Sequence, residues 1–159
     1  MSFAEPTPPR ATKTEVKQII DEAVELAGQK TKVDHVNAQV SVDPQAEAVL
    51  VDSAQIVSAL ANVIANSIES YEDAMGPVKI TAEPGDGAAR LQIRDLGCGM
   101  DTETLQKATH PFFSARPAGR KRGMGLADAA RLIQLNHGTL EIESHPGEGT
   151  TTTITLPTI

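Results

Sequence analysis

Aromatic side chains are nearly missing from this chain, which has no tryptophan, one tyrosine and three phenylalanines in 159 residues. A folded core must therefore be aliphatic, built from Ile, Val, Leu and Ala. Cysteine is almost absent too. Cys98 stands alone, which excludes an intrachain disulfide and suits a reducing, cytoplasmic setting. Long apolar runs are lacking: none approaches the roughly 18–20 residues of a helical membrane span. Nothing near Met1 has the apolar block of a signal peptide. The domain is expected to be soluble and to make no membrane contact, although a longer parent could be membrane-anchored. Positive charge is scarce, and the formal net charge of −7 argues against a general nucleic-acid binder. Internal repeats and low-complexity segments are absent.

What is present suits one domain, since a chain of this length buries about 70% of its extended surface. Residues 1–12, with Pro6, Pro8 and Pro9, read as a flexible leader or a cut linker, leaving 13–159 as the domain. Val16, Ile19, Ile20, Ala23, Val24 and Ala27 recur at helical spacing, with Gly28 in a stop position. Val36 to Val42 alternates as a strand, and Ala48 to Val51 is a shorter one. Asp52 or Ser53 can then cap a helix whose buried face is Val57, Leu60, Ala61, Ile64 and Ile68. Asn62, Asn66, Glu69 and Asp73 fall at i, i+4, i+7 and i+11, one polar stripe along it. A solvated helix face explains such a stripe, except that asparagine is a poor helix former and appears in it twice. Val78 to Ala82 and Ala89 to Arg94 form a hairpin across Gly85-Asp86-Gly87. Asp101 to Ala108 is a short helix, His110 to Arg122 a mobile loop, and Gly123 to His137 a helix that Gly138 stops. Thr139 to Ser144 and Thr150 to Leu156 close with a second hairpin. The expected fold is α/β (α+β): a two-layer sandwich, its sheet mixed but largely antiparallel, with helices on one face.

One stretch organises the rest. Asp95-Leu96-Gly97-Cys98-Gly99-Met100 ends a strand with a carboxylate followed by alternate glycines, which bring backbone up to whatever binds there. A carboxylate suits an exocyclic amine, and a charged hydrogen bond of that kind contributes roughly 1.5–3 kcal/mol. Gly123-Met124-Gly125-Leu126 opens a helix, whose unpaired N–H groups and dipole favour phosphate. Between the two lie Arg116, Arg120, Lys121 and Arg122. Amine reader, basic segment and helix N-terminus together describe a nucleotide site.

The order of these pieces behind Asn62 and Asn66 resembles the ATP-binding catalytic domain of sensor histidine kinases, in the GHKL superfamily. Asn62 and Asn66 resemble its N box, Asp95 to Met100 its first glycine box, Pro111-Phe112-Phe113 its F box and Gly123 to Leu126 its second glycine box. The likeness covers nearly the whole chain, from about Lys13 to Pro157, and extends to His137-Gly138 and Gly147-Glu148-Gly149-Thr150. It implies a Bergerat-type fold with ATP and Mg²⁺ as cofactors. By the same resemblance, Asp95 accepts from the adenine amino group, with Gly97, Gly99 and Met100 beside the base and the Thr150 hydroxyl nearby. Asn66 holds Mg²⁺ and Asn62 assists from one helical turn earlier. Gly123, Gly125 and Leu126 present N–H groups to the phosphates. Arg116 stands where the family often has a lid lysine, and Phe112 and Phe113 anchor the lid or simply pack in the core.

The resemblance also bears on the reaction. ATP-hydrolysing relatives carry a glutamate where Asn62 stands, and an amide cannot take a proton from water at neutral pH. That favours transfer to an external nucleophile, with catalysis by positioning and charge neutralisation to which Asn62 and Arg116 contribute. In sensor kinases the acceptor is a histidine on a separate dimerisation domain of the homodimeric protein, and a response regulator follows. None of His35, His110, His137 and His145 lies in a His-Glu/Asp-x-x-x-Pro setting, so each reads as surface or packing. Between Gly119 and Gly125 the lid lacks one glycine and the threonine that the family often has, and carries three basic groups instead. That departure keeps two alternatives open: a degenerate module signalling by contact, and a serine kinase of the anti-sigma type.

Overall fold

The computed structural model describes residues 8–108 and 122–158. Helix α1 (Val16–Thr31) forms because Val16, Ile19, Ile20, Ala23 and Ala27 lie on one stripe, and all five are fully buried. It does not stop at Gly28. The helix runs three residues further, and Lys32 closes it in a left-handed conformation, with the Val33 N–H donating back to the Gly28 carbonyl. Gly28 is there for space: a Cβ would stand 3.1 Å from the Val33 carbonyl oxygen and 3.2 Å from Val36 Cγ2. The chain folding back over the helix needs that gap.

Helix α2 (Ser53–Glu69) starts at Asp52, whose Oδ1 accepts the Gln55 N–H at 3.2 Å. Ile56, Leu60, Val63, Ile64 and Ile68 bury its apolar face. The polar stripe is shorter than its spacing suggests. α2 ends at Glu69, and Asp73 lies beyond it, its Oδ1 accepting the Met75 N–H. Asn62, Asn66 and Glu69 remain on the helix.

Five strands make the main sheet: β2 (Ala38–Val42), β4 (Val78–Gly85), β5 (Ala88–Asp95), β6 (Thr139–Ser144) and β7 (Thr150–Pro157). Their order is β2-β4-β5-β7-β6, with β2 parallel to β4 and every other pair antiparallel. Alternation decides the faces. Val78, Ile80 and Ala82, then Ala89, Leu91 and Ile93, then Ile154 and Leu156, point into the aliphatic core, against α2 and α4. Lys79, Arg90 and Arg94 point out to solvent. This is the mixed, largely antiparallel two-layer arrangement that the alternating pattern predicts.

A second, two-stranded sheet is the addition. β1 (Thr12–Glu15) pairs antiparallel with β3 (Ala48–Val51), Thr12 opposite Val51 and Glu15 opposite Ala48. Strand β1 begins at Thr12, and the Arg10 N–H donates to Asp52 Oδ2 at 3.0 Å. The pairing joins segments more than thirty residues apart, so no local period reports it. Strand β2 in turn begins at Ala38, two residues later than the alternation of Val36 suggests.

Helices α3 (Thr102–Ala108) and α4 (Arg122–Leu135) complete the layer. Asp101 caps α3 by accepting the Thr104 N–H at 2.7 Å, and that bond holds its carboxyl below the usual range. At the end of α4 the left-handed residue is His137 and not Gly138. The His137 N–H donates to Gln134 and the Gly138 N–H to Ile133, a Schellman closure. Gly138 is needed for contact instead, because a Cβ would run into the Thr155 carbonyl oxygen. Between them and the helix sits Asn136, 3% exposed. Its Oδ1 accepts the Asp52 N–H at 2.8 Å, and its Nδ2 donates to Gln55 Oε1 and the Leu132 carbonyl. The end of α4 is thereby tied to the start of α2. Replacing Asn136 with Ala leaves the Asp52 N–H without that acceptor, and urea unfolding should show a loss of about 1–3 kcal/mol with the denaturant slope unchanged.

Candidate functional site

The sheet changes character at one end. Along β4, β5, β7 and β6 the inward rows are apolar except for the buried Thr152 until the last, where Asp95 faces Thr150 across β5 and β7, and Thr150 faces Ser144 across β7 and β6. All three are buried, at 4%, 6% and 6% exposure. Asp95 Oδ1 is satisfied from within the protein: the Gly97 N–H donates to it at 3.0 Å and the Thr150 N–H at 3.2 Å. Asp95 Oδ2 is buried and has no hydrogen-bond partner among the described residues. A carboxylate oxygen in that state costs free energy unless something donates to it. It is the open valence of the site, and a group with an N–H would fill it.

The glycines around it serve the packing of the turn itself. A Cβ on Gly97 would collide with the Ser70 hydroxyl, and one on Gly99, at φ +69°, with the His145 carbonyl oxygen. Gly149, at φ +81°, would strike the Asp95 carbonyl oxygen. These positions let backbone segments of the protein close on one another. The turn is then pinned from both sides, the Cys98 N–H donating to the Ser70 carbonyl and the Gly147 N–H to the Cys98 carbonyl. Cys98 itself is exposed. Met100, half-buried against the core, donates its N–H to Ser144 Oγ at 2.8 Å.

Helices α2 and α4 bring the other two motifs together. Asn62 and Asn66 lie half-buried, one turn apart on α2. Gly125, in the first turn of α4, stands against the first of them: a Cβ there would be 3.8 Å from Asn62 Cβ. The neighbouring Leu126 is 2% exposed and anchors the turn in the core. Gly123 belongs to the same first turn of α4. So Asn62 and the glycine-opened helix meet. Arg116, Phe112, Phe113 and the rest of 109–121 lie outside the described residues.

Three contributors escape a reading by motif. Ser144 connects three segments: besides Met100, it donates to the Gly149 carbonyl at 3.0 Å and lies 2.7 Å from Thr150 Oγ1. Ser70 supplies both the hydroxyl packed at Gly97 and the carbonyl bonded to Cys98. Tyr71, the chain's one tyrosine, donates its hydroxyl to the Pro77 carbonyl and accepts the Leu96 N–H at 2.6 Å. The signal available was slight, a lone aromatic just past a helix and a serine ending a strand.

A carboxylate closing the central antiparallel strand, with paired asparagines and a glycine-opened helix beside it, defines the class: the ATP-binding catalytic domain of the histidine-kinase type. Residues 51–159 match the family described as histidine kinase-, DNA gyrase B- and HSP90-like ATPase, and the chain belongs to that family. It is similar to the signal transduction histidine-protein kinase AtoS of Escherichia coli K12, with 27% identity covering 99% of this chain and 26% of that protein. The mycobacterial sensor histidine kinase MprB has the same fold, with a TM-score of 0.76 at 24% identity, covering 92% of this chain and 97% of the MprB chain. Full-length ShkA, solved in complex with AMPPNP, also shares it, with a TM-score of 0.76 at 20% identity, over 93% of this chain and 31% of that one. The chain spans about a fifth to a quarter of the length of the curated relatives it matches.

Packing at the glycine turn gives a direct test. Gly97→Ala places a methyl group where the Ser70 hydroxyl sits, and thermal or urea unfolding should register a loss of about 1–3 kcal/mol from overpacking. Adding Ser70→Gly should recover part of that loss.

Proposed function

We propose that this chain binds Mg–ATP and transfers the γ-phosphoryl group to a histidine on a separate dimerisation domain of a homodimeric sensor kinase. The observation that carries the reading is the buried, unpartnered Asp95 Oδ2 at the end of the sheet. The adenine amino group supplies the missing donor there. Gly97 and Gly99 hold the turn that places Asp95, Met100 borders the base, and Thr150 braces the carboxylate through its N–H. Phosphates run toward the first turn of α4, where the N–H groups of Gly123, Gly125 and Leu126 and the helix dipole favour anions.

Asn66 holds Mg²⁺ and Asn62 assists. An uncharged amide oxygen is a hard donor, and Mg²⁺ takes few protein ligands when phosphates supply the others. Among the described residues no group of three or more His, Cys, Asp or Glu side chains gathers to hold a metal, and the asparagine pair is the donor set that fits. When bound, the ion neutralises charge on the phosphates. Arg116, outside the described residues, adds charge from the lid. With an amide at Asn62 the chain has no base there to activate water, so transfer to a nucleophile is favoured over hydrolysis.

His35, His137 and His145 are exposed, and none has the sequence setting of the acceptor. The acceptor domain, a downstream response regulator and a cytoplasmic location complete the reading. In support, no helix among the described residues is long and apolar enough to cross a membrane.

Titration of the chain with ATP and Mg²⁺ should show saturable binding, and none up to millimolar nucleotide would overturn the proposal. Asp95→Asn keeps one inward acceptor but sets an amide N–H where Oδ2 was. It should weaken ATP binding about 10- to 100-fold, the equivalent of a charged hydrogen bond, while the thermal midpoint moves little. Supplied with a dimerisation domain, the chain should place labelled phosphate on its histidine as an acid-labile product. An acid-stable product would point to a serine acceptor instead, and no label at all to a module that signals by contact.

A further inference from the structure

The hydroxyl network behind Asp95 has a direction, and the direction follows from which partners can only donate or only accept. Ser144 Oγ has one hydrogen and two lone pairs. The Met100 backbone N–H, at 2.8 Å, can only donate to it. The Gly149 carbonyl, at 3.0 Å, can only accept, so the Ser144 hydrogen points there. One lone pair then remains for Thr150 Oγ1 at 2.7 Å, and the Thr150 hydroxyl must be the donor in that contact. The assignment comes from closing the network.

With its hydrogen turned to Ser144, Thr150 has only lone pairs left. Asp95 Oδ2, on the strand directly opposite Thr150, is likewise an acceptor. This end of the sheet therefore offers acceptors and no side-chain hydroxyl hydrogen. We infer that Ser144 is a positioning residue for base selection: by holding the Thr150 hydroxyl hydrogen away from Asp95, it keeps the site wall acceptor-only, which admits a purine with a 6-amino group and rejects one with a 6-oxo group. Freed from Ser144, the Thr150 hydroxyl would turn its hydrogen toward Asp95 Oδ2 or toward the ligand. A keto oxygen could then be met by a donor, and the amino group would lose an acceptor. Keeping a wrong group unpaired is an effective way to discriminate, because a buried polar atom without a partner is costly.

This inference rests on nucleotide binding as proposed above, and the test separates the two. The 159-residue chain is titrated with ATP and with inosine triphosphate, which differs in carrying the 6-oxo group. If the unaltered chain binds neither, the nucleotide reading itself fails, and this inference with it. If it binds both equally, the acceptor-only wall is overturned while nucleotide binding stands. Given a preference for ATP, Ser144→Ala should lower the ATP-to-inosine ratio about tenfold, one hydrogen bond's worth of discrimination. Ser144→Thr, which retains the hydroxyl, should restore the ratio. A merely structural role would weaken both nucleotides alike and leave the ratio where it was, and that result would sink the inference. Thr150→Val supplies a second arm should Ser144→Ala not fold. With no hydroxyl hydrogen to turn toward Asp95, it should keep the unaltered chain's ratio, and a drop like that expected of Ser144→Ala overturns the inference as well. In a foldable double variant, Ser144→Ala on top of Thr150→Val should change the ratio no further. A further drop would mean that Ser144 acts by some route other than Thr150.

Discussion

Everything near the site depends on how one carboxylate divides its two oxygens. Asp95 Oδ1 is turned inward, where two backbone N–H groups from different segments converge on it. That bond pair fixes the glycine turn to strand β7 and fixes the rotamer of Asp95. Oδ2 is left buried and without a donor. A protein tolerates such an atom only where the rest of the fold holds it in place. Here that hold comes from β5 and β7 running in full register to their ends, so that Asp95 and Thr150 stand opposite each other at the last rung.

The glycines extend the same constraint. Gly97, Gly99 and Gly149 are positions where the chain crosses itself too closely for a Cβ. Their removal would loosen the turn first and the placement of Asp95 second, because Asp95 is held by that turn. On the other side of the site, α2 and α4 approach near Asn62 and Gly125, and Asn136 ties the opposite ends of the same two helices together. The sheet end places the carboxylate proposed to read the base, and the helix pair places the asparagines and the glycine-opened turn. Neither layer makes the site alone.

Much of this is legible in the residues. The alternation of β5 and β7 sets which side chains face inward, and Asp95 follows from that count as the last inward residue of its strand. The 3.6-residue spacing of α2 puts Asn62 and Asn66 on one side, half-buried, apart from the apolar stripe. Gly28 and Gly138 mislead for a shared reason. A glycine near a helix end suggests a left-handed stop, yet Lys32 and His137 take that conformation and the glycines admit close neighbours instead. A glycine in a sequence reports that something needs room or an unusual φ, and does not say which.

Local period and composition thus determined the layers, the inward faces and the aliphatic core, because each of these depends on residues a few positions apart. Only the folded chain decided the ribbon of β1 with β3, the closure of the glycine turn on Ser70 and His145, and the hydroxyl contact between Thr150 and Ser144. Those depend on which distant segments come within a bond length of one another. Whether Asp95 Oδ2 is left open is of the same kind: a carboxylate's free oxygen is known only once every neighbour that might donate to it has a position.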